Sequence, residues 1–137
     1  MAFFSTATDL TPTALSPIER IYVRALVRGT TTMVSSHPVP YSDLNIGGDG
    51  SRIVYVKPVV LAPGPGGAPA QAFAWDRTSR TATALSAPAS GEIPDGHTVT
   101  PHITTDGRLV AFTSYATNLL PGGIPEGSTY TRTLTAP

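Results

Sequence analysis

Hydrophobic positions along the chain form short runs or alternate with polar ones, and no stretch has the spacing of an amphipathic helix. A helix requires apolar residues at i, i+3 and i+4 over roughly ten positions or more, and Pro, Gly or Thr interrupts every such window. The apolar runs, such as Ile53 to Val56, lie between clusters of Gly, Pro, Asp and Ser. This pattern predicts short strands joined by turns, so we expect an all-β fold.

Two blocks of sequence recur along the chain. The segment 2–12 matches 111–121 without a gap, and 49–55 matches 106–112. The first match has an offset of 109 positions and the second an offset of 57. Since 109 is about twice the length of one repeat, a middle copy lies between the copies at the two ends. Repeats of roughly 20 to 50 residues or slightly more are typical of solenoids, propellers and other arrays of one supersecondary unit.

A second recurring block is centred on an aromatic residue and is followed by a Thr-rich strand. One full unit then contains four strands, which is typical of a β-propeller blade. Five aromatic residues recur at equivalent positions of the second or third strand of these units. We expect them to fill the core between blades. These residues are Tyr22, Tyr55, Phe73, Phe112 and Tyr130.

An Asp-Gly pair precedes the second strand of two units, at Asp49-Gly50 and at Asp106-Gly107. Gly adopts positive φ freely, and Asp tolerates it while its side chain bonds to nearby backbone. The pairs therefore predict two-residue hairpin turns that recur from blade to blade.

The strand count predicts an incomplete β-propeller of antiparallel, four-stranded blades. The units are a blade remnant at 1–36, a full blade at 37–87 and a second remnant at 88–137. Propellers close with roughly 4 to 8 blades, so the chain cannot close alone. We expect either a fragment of a larger propeller or a subunit that assembles, and the exposed blade edges make self-association a further expectation.

At these residues the chain resembles the TolB-type β-propeller repeat, whose blade carries a Ser-x-Asp-Gly-Arg-x-Val-Ala-Phe-x-Ser core. The segment 104–114 is a close match and 47–55 a looser one. The family's later Tyr-Val-x-Asp strand is matched at Trp75-Asp76, whereas Ala25 and Thr133 replace that Asp in the other units. The resemblance implies a propeller fold and, because relatives are exported, an envelope or extracellular location.

Charge and composition exclude several classes of function. Nine Lys and Arg balance nine Asp and Glu, so the basic surface that nucleic-acid binding requires is absent. The chain has no Cys, which excludes disulfides, Cys-type zinc sites and a cysteine nucleophile. No apolar run approaches the ~20 residues of a membrane-spanning helix, so we expect no membrane insertion. The first residues also lack the pattern of a secretory signal.

Two histidines invite a metal-site hypothesis. His97 and His102 lie near Asp95 and Asp106 in the sequence, and either aspartate would be the further ligand of such a site. A spacing of five residues along a strand places the two rings on opposite faces, so we expect His97 and His102 to occupy loops and strand ends without a metal. His37, before Pro38, is even less indicative of a site.

Relatives of the TolB type often carry an acidic loop between the second and third strands that could hold Ca²⁺. The corresponding segments here, 12–17, 63–68 and 121–127, lack its Asp and Asn. Glu126 is their only carboxylate and cannot form a site of six to eight oxygens alone. We therefore expect neither a metal nor a cofactor.

The sequence offers no catalytic motif. It has no Gly-x-Ser-x-Gly and no His-Glu-x-x-His, and the Gly-rich segment 64–70 lacks the Gly-Lys-Ser/Thr of a phosphate loop. Five aspartates lie at turns or strand ends, where the residue is common for turn chemistry. They are Asp43, Asp49, Asp76, Asp95 and Asp106.

Two functions fit these observations. The first is a non-catalytic binding module whose loops at one rim contact a protein or glycan partner. The alternative is the propeller portion of a hydrolase similar to prolyl oligopeptidase, with its catalytic domain outside this chain.

Overall fold

The computed structural model describes residues 1–12, 16–35, 43–58 and 69–135, and these residues form ten strands and no helix. Since none of the described residues forms a helix, none forms an apolar helix that could cross a membrane. Three antiparallel sheets divide the strands three, four and three. The prediction of an all-β fold with antiparallel blades is confirmed.

The first sheet has the order β1-β2-β3, from β1 (Ala2–Ser5), β2 (Arg20–Ala25) and β3 (Thr30–Ser35). The middle sheet has the order β4-β5-β6-β7, from β4 (Leu44–Ile46), β5 (Arg52–Pro58), β6 (Ala70–Asp76) and β7 (Ala82–Ala84). The third sheet places β9 (Leu109–Ser114) between β8 (Thr98–Ile103) and β10 (Ser128–Thr133). Each strand pairs with its neighbour in sequence, as in a propeller blade.

A cluster of large side chains joins the first sheet to the middle one. Alternate residues of a strand point to opposite faces, so Ile53, Tyr55 and Trp75 share one face of the middle sheet. They pack with Ile21 and Val23 of the first sheet, and all five are less than 5% exposed. Each such side chain contributes roughly 1.5 to 3 kcal/mol when fully buried.

A second cluster joins the middle sheet to the third. The intervening residues Val54, Ala72 and Ala74 form the opposite face of the middle sheet, and they pack with Val110 and Phe112 of β9. The middle sheet therefore has one face of large side chains towards the first sheet and one of smaller side chains towards the third. Both faces are covered, and this makes the middle sheet the structural centre of the molecule.

Candidate functional site

The two Asp-Gly pairs lie in equivalent turns, but the turns are longer than two residues. Ile46 pairs with Ile53, and the Gly47 amide donates to the Arg52 carbonyl oxygen at 3.0 Å, which leaves 48–51 as the loop. The corresponding loop of the third sheet is 105–108. The prediction of two-residue hairpins is wrong in this respect, because the backbone pairing ends at Gly47 and Arg52, one residue earlier on each side than a two-residue turn requires.

Within these turns, Asp and Gly have distinct roles. Gly50 and Gly107 both have φ of 69°, and each amide closes the turn on the carbonyl oxygen three residues before it, at 2.9 Å. The Asp49 carboxylate accepts the Ser51 amide at 2.9 Å, and the Asp106 carboxylate accepts the Arg108 amide at 3.1 Å. These bonds favour the ionised form, and the pKa of each carboxyl is lowered chiefly by its hydrogen bonds, from Ser51 and from Thr104 respectively.

The two turns pack against one another at the same end of the sheets. The Asp49 amide donates to the Thr105 carbonyl oxygen at 3.3 Å. A Cβ placed on Gly107 would lie 3.2 Å from Ser51 Oγ. The turn of the third sheet therefore approaches the turn of the middle sheet closely at a residue that has no side chain. The recurring turns are thus also contacts between sheets.

Arg52, the first residue of β5, joins the middle and third sheets beside these turns. Its side chain is buried and donates from Nη1 to the Gly107 carbonyl oxygen at 2.8 Å and from Nη2 to the Thr135 carbonyl oxygen. Its Nε lies 3.4 Å from Asp76 Oδ2. A buried guanidinium requires such partners, since an unpaired buried charge is strongly unfavourable.

Asp76 ends β6 and organises the turn that follows. Its carboxylate accepts the amides of Thr78 at 2.8 Å and Ser79 at 3.0 Å. The Ser79 amide is the largest cause that lowers the pKa of Asp76, and Arg52 lowers it further. Asp76 therefore serves both the turn and the ion pair, in agreement with its interpretation as a strand-ending Asp.

A groove of about 520 Å³ opens beside Arg52, between the middle and third sheets. We call it the inter-sheet groove. One wall comes from β6, β7 and the turn between them, and the other from the end of β10 and the two residues after it. Ala74 and Leu85, which belong to the core between these sheets, also line the groove, so the core and the groove are continuous.

The five predicted core aromatics occur in cross-strand pairs. Tyr55 pairs with Phe73 and Phe112 with Tyr130, with ring centroids 5.9 and 5.6 Å apart. Tyr22 pairs with Phe3 at 5.9 Å.

These aromatics do not all occupy the same environment. Tyr55 and Phe73 pack in the cluster between the first and middle sheets, and Phe112 and Tyr130 pack in the next one. Tyr22 is buried outside both clusters. Burial raises the pKa of Tyr55 to about 12, because the phenolate would lose its hydration.

The structure places His97 beside a backbone amide and His102 at the surface. The His97 Nδ1 accepts the Ala70 amide at 3.0 Å, and His102 is exposed on β8. Thr100 lies between them with φ of 50° at an irregularity in β8, and its amide donates to the Asp43 carboxylate at 2.8 Å. Within the described ranges, no three His, Asp or Glu side chains gather as metal ligands.

Several segments considered above lie outside the described residues. These are His37, the loop 63–68, most of the Gly-rich segment 64–70, and positions 13–15 of the loop 12–17. The third loop, 121–127, is described, and Glu126 is exposed in it.

Two loops form a rim at the end of the sheets opposite the Asp-Gly turns. They are 87–97, between β7 and β8, and 115–127, between β9 and β10. We call them together the loop rim. The Asp95 carboxylate joins them by accepting the Thr117 amide at 2.7 Å and its hydroxyl at 2.6 Å. The Thr117 hydroxyl is the largest cause that lowers the pKa of Asp95.

Sequence reasoning overlooked the roles of Arg52 and Asp95. Both bind atoms far along the chain, at separations of 55 and 83 residues for Arg52 and 22 for Asp95. For Arg52, the available signal was its position opposite Asp76 once β5 and β6 are aligned as a hairpin.

Comparisons with known proteins support the fold. No protein-family model matches the chain, and no curated protein matches it. Among solved structures, the chain is similar to the tricorn protease, with 19% identity and a TM-score of 0.54 over 70% of this chain. A further similarity is to TolB from Acinetobacter baumannii, with 19% identity and a TM-score of 0.46 over 82% of this chain.

The tricorn protease is a β-propeller protein, and with its antiparallel, blade-like sheets this chain is a partial β-propeller. It spans 9% of the tricorn protease chain and 26% of the TolB chain. The predicted resemblance to propeller repeats is confirmed at the level of the fold.

Proposed function

We propose that this chain is a non-catalytic binding module that contacts a protein partner through the loop rim. One observation carries the proposal. Ile93, Tyr115 and Leu120 lie on these two loops with 53%, 49% and 48% of their surface exposed. Exposed large apolar side chains on hydrogen-bonded loops, among polar residues, are typical of interaction surfaces.

Hydrogen bonds join the two loops of the loop rim to one another. Besides its bonds to Thr117, Asp95 accepts the Asn118 amide at 3.4 Å, and the Asn118 side chain donates to the Ile93 carbonyl oxygen at 3.0 Å. These bonds connect both loops close to the exposed residues. A preorganised surface loses less conformational entropy on binding, so a larger part of the contact energy becomes affinity.

Charge narrows the class of partner. The loop rim carries Glu92, Asp95 and Glu126 and has no Lys or Arg between 87 and 97 or between 115 and 127. An apolar surface beside carboxylates is complementary to a segment that combines apolar and basic side chains. We therefore expect a protein partner of that composition rather than a neutral glycan.

Binding arrays of peptides and glycans test this function directly. The chain should bind peptides that combine Leu, Phe or Trp with Lys or Arg, and a Tyr115→Ser, Leu120→Ser double variant should lose that binding. The matched control is Leu26→Ser, Val27→Ser, which removes two exposed apolar side chains from the opposite end. Selective binding to glycans, or equal loss in both variants, would contradict the proposal.

A second candidate is the propeller portion of a hydrolase. The similarity to a structure named as a protease is the observation that favours it. The sequence flanking this region in the gene discriminates between the two. A downstream Gly-x-Ser-x-Gly supports the hydrolase, whereas further Asp-Gly-Arg blades support the binding module.

A further inference from the structure

The turn between β2 and β3 exposes two neighbouring apolar side chains. Ala25 pairs with Thr30, so residues 26–29 form the turn. Within it, Leu26 is 71% exposed and Val27 is fully exposed, at 100%. We call these two residues the apolar tip. One exposed aliphatic residue is ordinary at a protein surface, so the surroundings of the pair decide whether it belongs to a binding surface.

The exposure of this turn follows from its place at the end of a sheet. The equivalent turn of the middle sheet is 77–80, because the Asp76 amide donates to the Thr81 carbonyl oxygen at 2.9 Å. The last residue of each turn is left-handed, with φ of 63° at Gly29 and 57° at Arg80. The middle sheet is covered on both faces, yet every residue of 77–80 is exposed. A neighbouring sheet therefore does not cover a turn in this position.

The turns of the first and middle sheets lie side by side at the end that carries the Asp-Gly turns. The Arg77 amide donates to the Ser51 carbonyl oxygen at 2.9 Å, which places 77–80 against the first Asp-Gly turn. The apolar tip and Arg28 line a surface pocket of about 550 Å³ together with Arg77. The apolar tip is thus bordered by arginines of its own turn and of the next sheet.

The fold separates the charges of a chain whose net charge is zero. The end with the Asp-Gly turns, which we call the basic end, holds seven arginines and three aspartates. The opposite end holds six carboxylates against Arg20 and Lys57. In the part of the chain that the structure describes, the ion pair joins buried Arg52 to Asp76, so no exposed arginine has a carboxylate partner. The exposed arginines of the basic end are Arg24, Arg28, Arg77, Arg80, Arg108 and Arg132.

The types of the exposed side chains favour a lipid surface over the other anionic partners. Proteins that bind single-stranded nucleic acids stack the bases on aromatic side chains. Among the described residues, none of the large apolar side chains exposed at the basic end is aromatic. Leu and Val are also under-represented among the residues that dominate protein interfaces. Aliphatic side chains bordered by basic ones are instead typical of binding at the surface of an anionic membrane.

We propose that the basic end is a peripheral contact site for an anionic lipid surface. Leu26 and Val27 enter the boundary between lipid headgroups and acyl chains, and the arginines around them bind the anionic headgroups. Burial of apolar area and attraction to anionic lipid add together in binding of this kind. The contact requires no membrane-spanning helix, and none occurs among the described residues. The site lies opposite the loop rim and goes beyond the function proposed above.

Flotation of the intact chain with lipid vesicles tests this site. The chain should float with vesicles of phosphatidylcholine and phosphatidylserine and stay unbound with phosphatidylcholine alone. The double variant Leu26→Ser, Val27→Ser should bind about tenfold more weakly, because two aliphatic side chains no longer leave water. Both side chains are exposed in the free chain, so its thermal melt should stay the same. The matched control, Tyr115→Ser with Leu120→Ser, changes the opposite end and should float as the native chain does.

A second pair of variants measures the contribution of charge. Arg28→Gln, Arg77→Gln should weaken binding by about twentyfold, since each basic residue near an anionic surface contributes about fivefold. Arg28→Lys, Arg77→Lys keeps both charges and should bind nearly as well as the native chain. Added sodium chloride should weaken binding of the native chain, because salt screens exposed charges. Binding that neither the glutamine variant nor salt changes would overturn the proposal.

The variant Val27→Trp reports whether the apolar tip leaves water. Its fluorescence should shift to shorter wavelength with phosphatidylserine vesicles, and lipids brominated on the acyl chains should quench it. Trp75 is buried in the native chain, which therefore provides the reference spectrum. Binding without the shift would overturn the proposal, because the tip would then remain in water.

The alternative partners and the loop rim give distinct results. Binding of single-stranded DNA or of an acidic peptide, without flotation on phosphatidylserine vesicles, would overturn the proposal and assign the basic end to that partner. Loss of flotation in the loop-rim variant would also overturn it. Peptide binding by the loop rim should stay unchanged in the Leu26→Ser, Val27→Ser variant, so the two binding proposals fail separately.

Discussion

The guanidinium of Arg52 donates to the carbonyl oxygen of Gly107 at 2.8 Å, and this bond joins the first residue of β5 to the equivalent turn of the next sheet. A side chain of one blade thereby forms a hydrogen bond to the backbone of the Asp-Gly turn in the next blade. Contacts of this kind determine how neighbouring repeat units sit against one another, since each unit contacts only its neighbours.

Replacing Arg52 with Ala should lower the free energy of unfolding by about 2 to 4 kcal/mol. The substitution leaves the carbonyl oxygens of Gly107 and Thr135 without this donor and removes the ion pair of Asp76. Urea denaturation followed by fluorescence of Trp75 measures the change. The exposed Arg108→Ala is the control and should change stability by less than about 0.5 kcal/mol. Similar losses in both variants would mean that Arg52 is not the residue that joins the sheets.

Replacing Gly107 with Val should cost about 1 to 3 kcal/mol, because φ of 69° is strained for a β-branched residue and the new side chain meets Ser51. His102→Ala, at an exposed position nearby, should cost less. Thermal denaturation of both variants provides the comparison. Small and equal effects would contradict the left-handed conformation of this turn.

Replacing Phe112 with Ala should destabilise the chain by about 3 to 5 kcal/mol, since the substitution leaves a cavity between the middle and third sheets. Thr131→Ala removes an exposed side chain and serves as the control. Chemical denaturation should separate the two variants clearly. A loss below 1 kcal/mol for Phe112→Ala, on the scale of ordinary surface changes, would show that the two sheets are not packed on this residue.

Acid should remove the contribution of Asp76 to stability. The pKa of this carboxyl is lowered from 3.8 in the folded chain, chiefly by the Ser79 amide, so its stabilisation is complete above about pH 3.8 and is lost as the pH falls through the folded value. The difference in stability between the native chain and Asp76→Asn should therefore shrink in acid. Melting curves from pH 2 to pH 7 measure it. A difference that stays constant over this range would contradict the role of the carboxylate.

Divalent metals should leave the melting temperature unchanged. The loop 121–127 offers Glu126 as its only carboxylate, and His97 already accepts the Ala70 amide. A ligand that binds only the native state raises the melting temperature by mass action. Scans with millimolar Ca²⁺ or micromolar Zn²⁺ test the expectation, and an upward shift that EDTA reverses would reveal a site.

The repeat made the blades predictable because each strand pairs with its neighbour in sequence. The aromatic spacing identified Tyr55 and Phe112, and the structure places them in successive clusters. Turn length was not predictable from Asp-Gly alone, since it depends on whether Gly48 and Ser51 also pair, and the backbone pairing here ends at Gly47 and Arg52. The two partners of Arg52 in the third sheet are the backbone carbonyl oxygens of Gly107 and Thr135. Any residue type can supply a carbonyl oxygen, so these contacts leave no signal in the sequence.

The unequal faces of the sheets give the stack a direction. Large side chains such as Tyr55 and Trp75 point towards the N-terminal neighbour, and Ala72 and Ala74 point towards the C-terminal one. A sheet turned over would bring bulky groups against bulky groups on one side and leave a void on the other, and both arrangements are destabilising. Duplicated or shuffled units should therefore fold only when every copy keeps the same orientation. The difference between the two faces thus fixes the direction in which further units can be added.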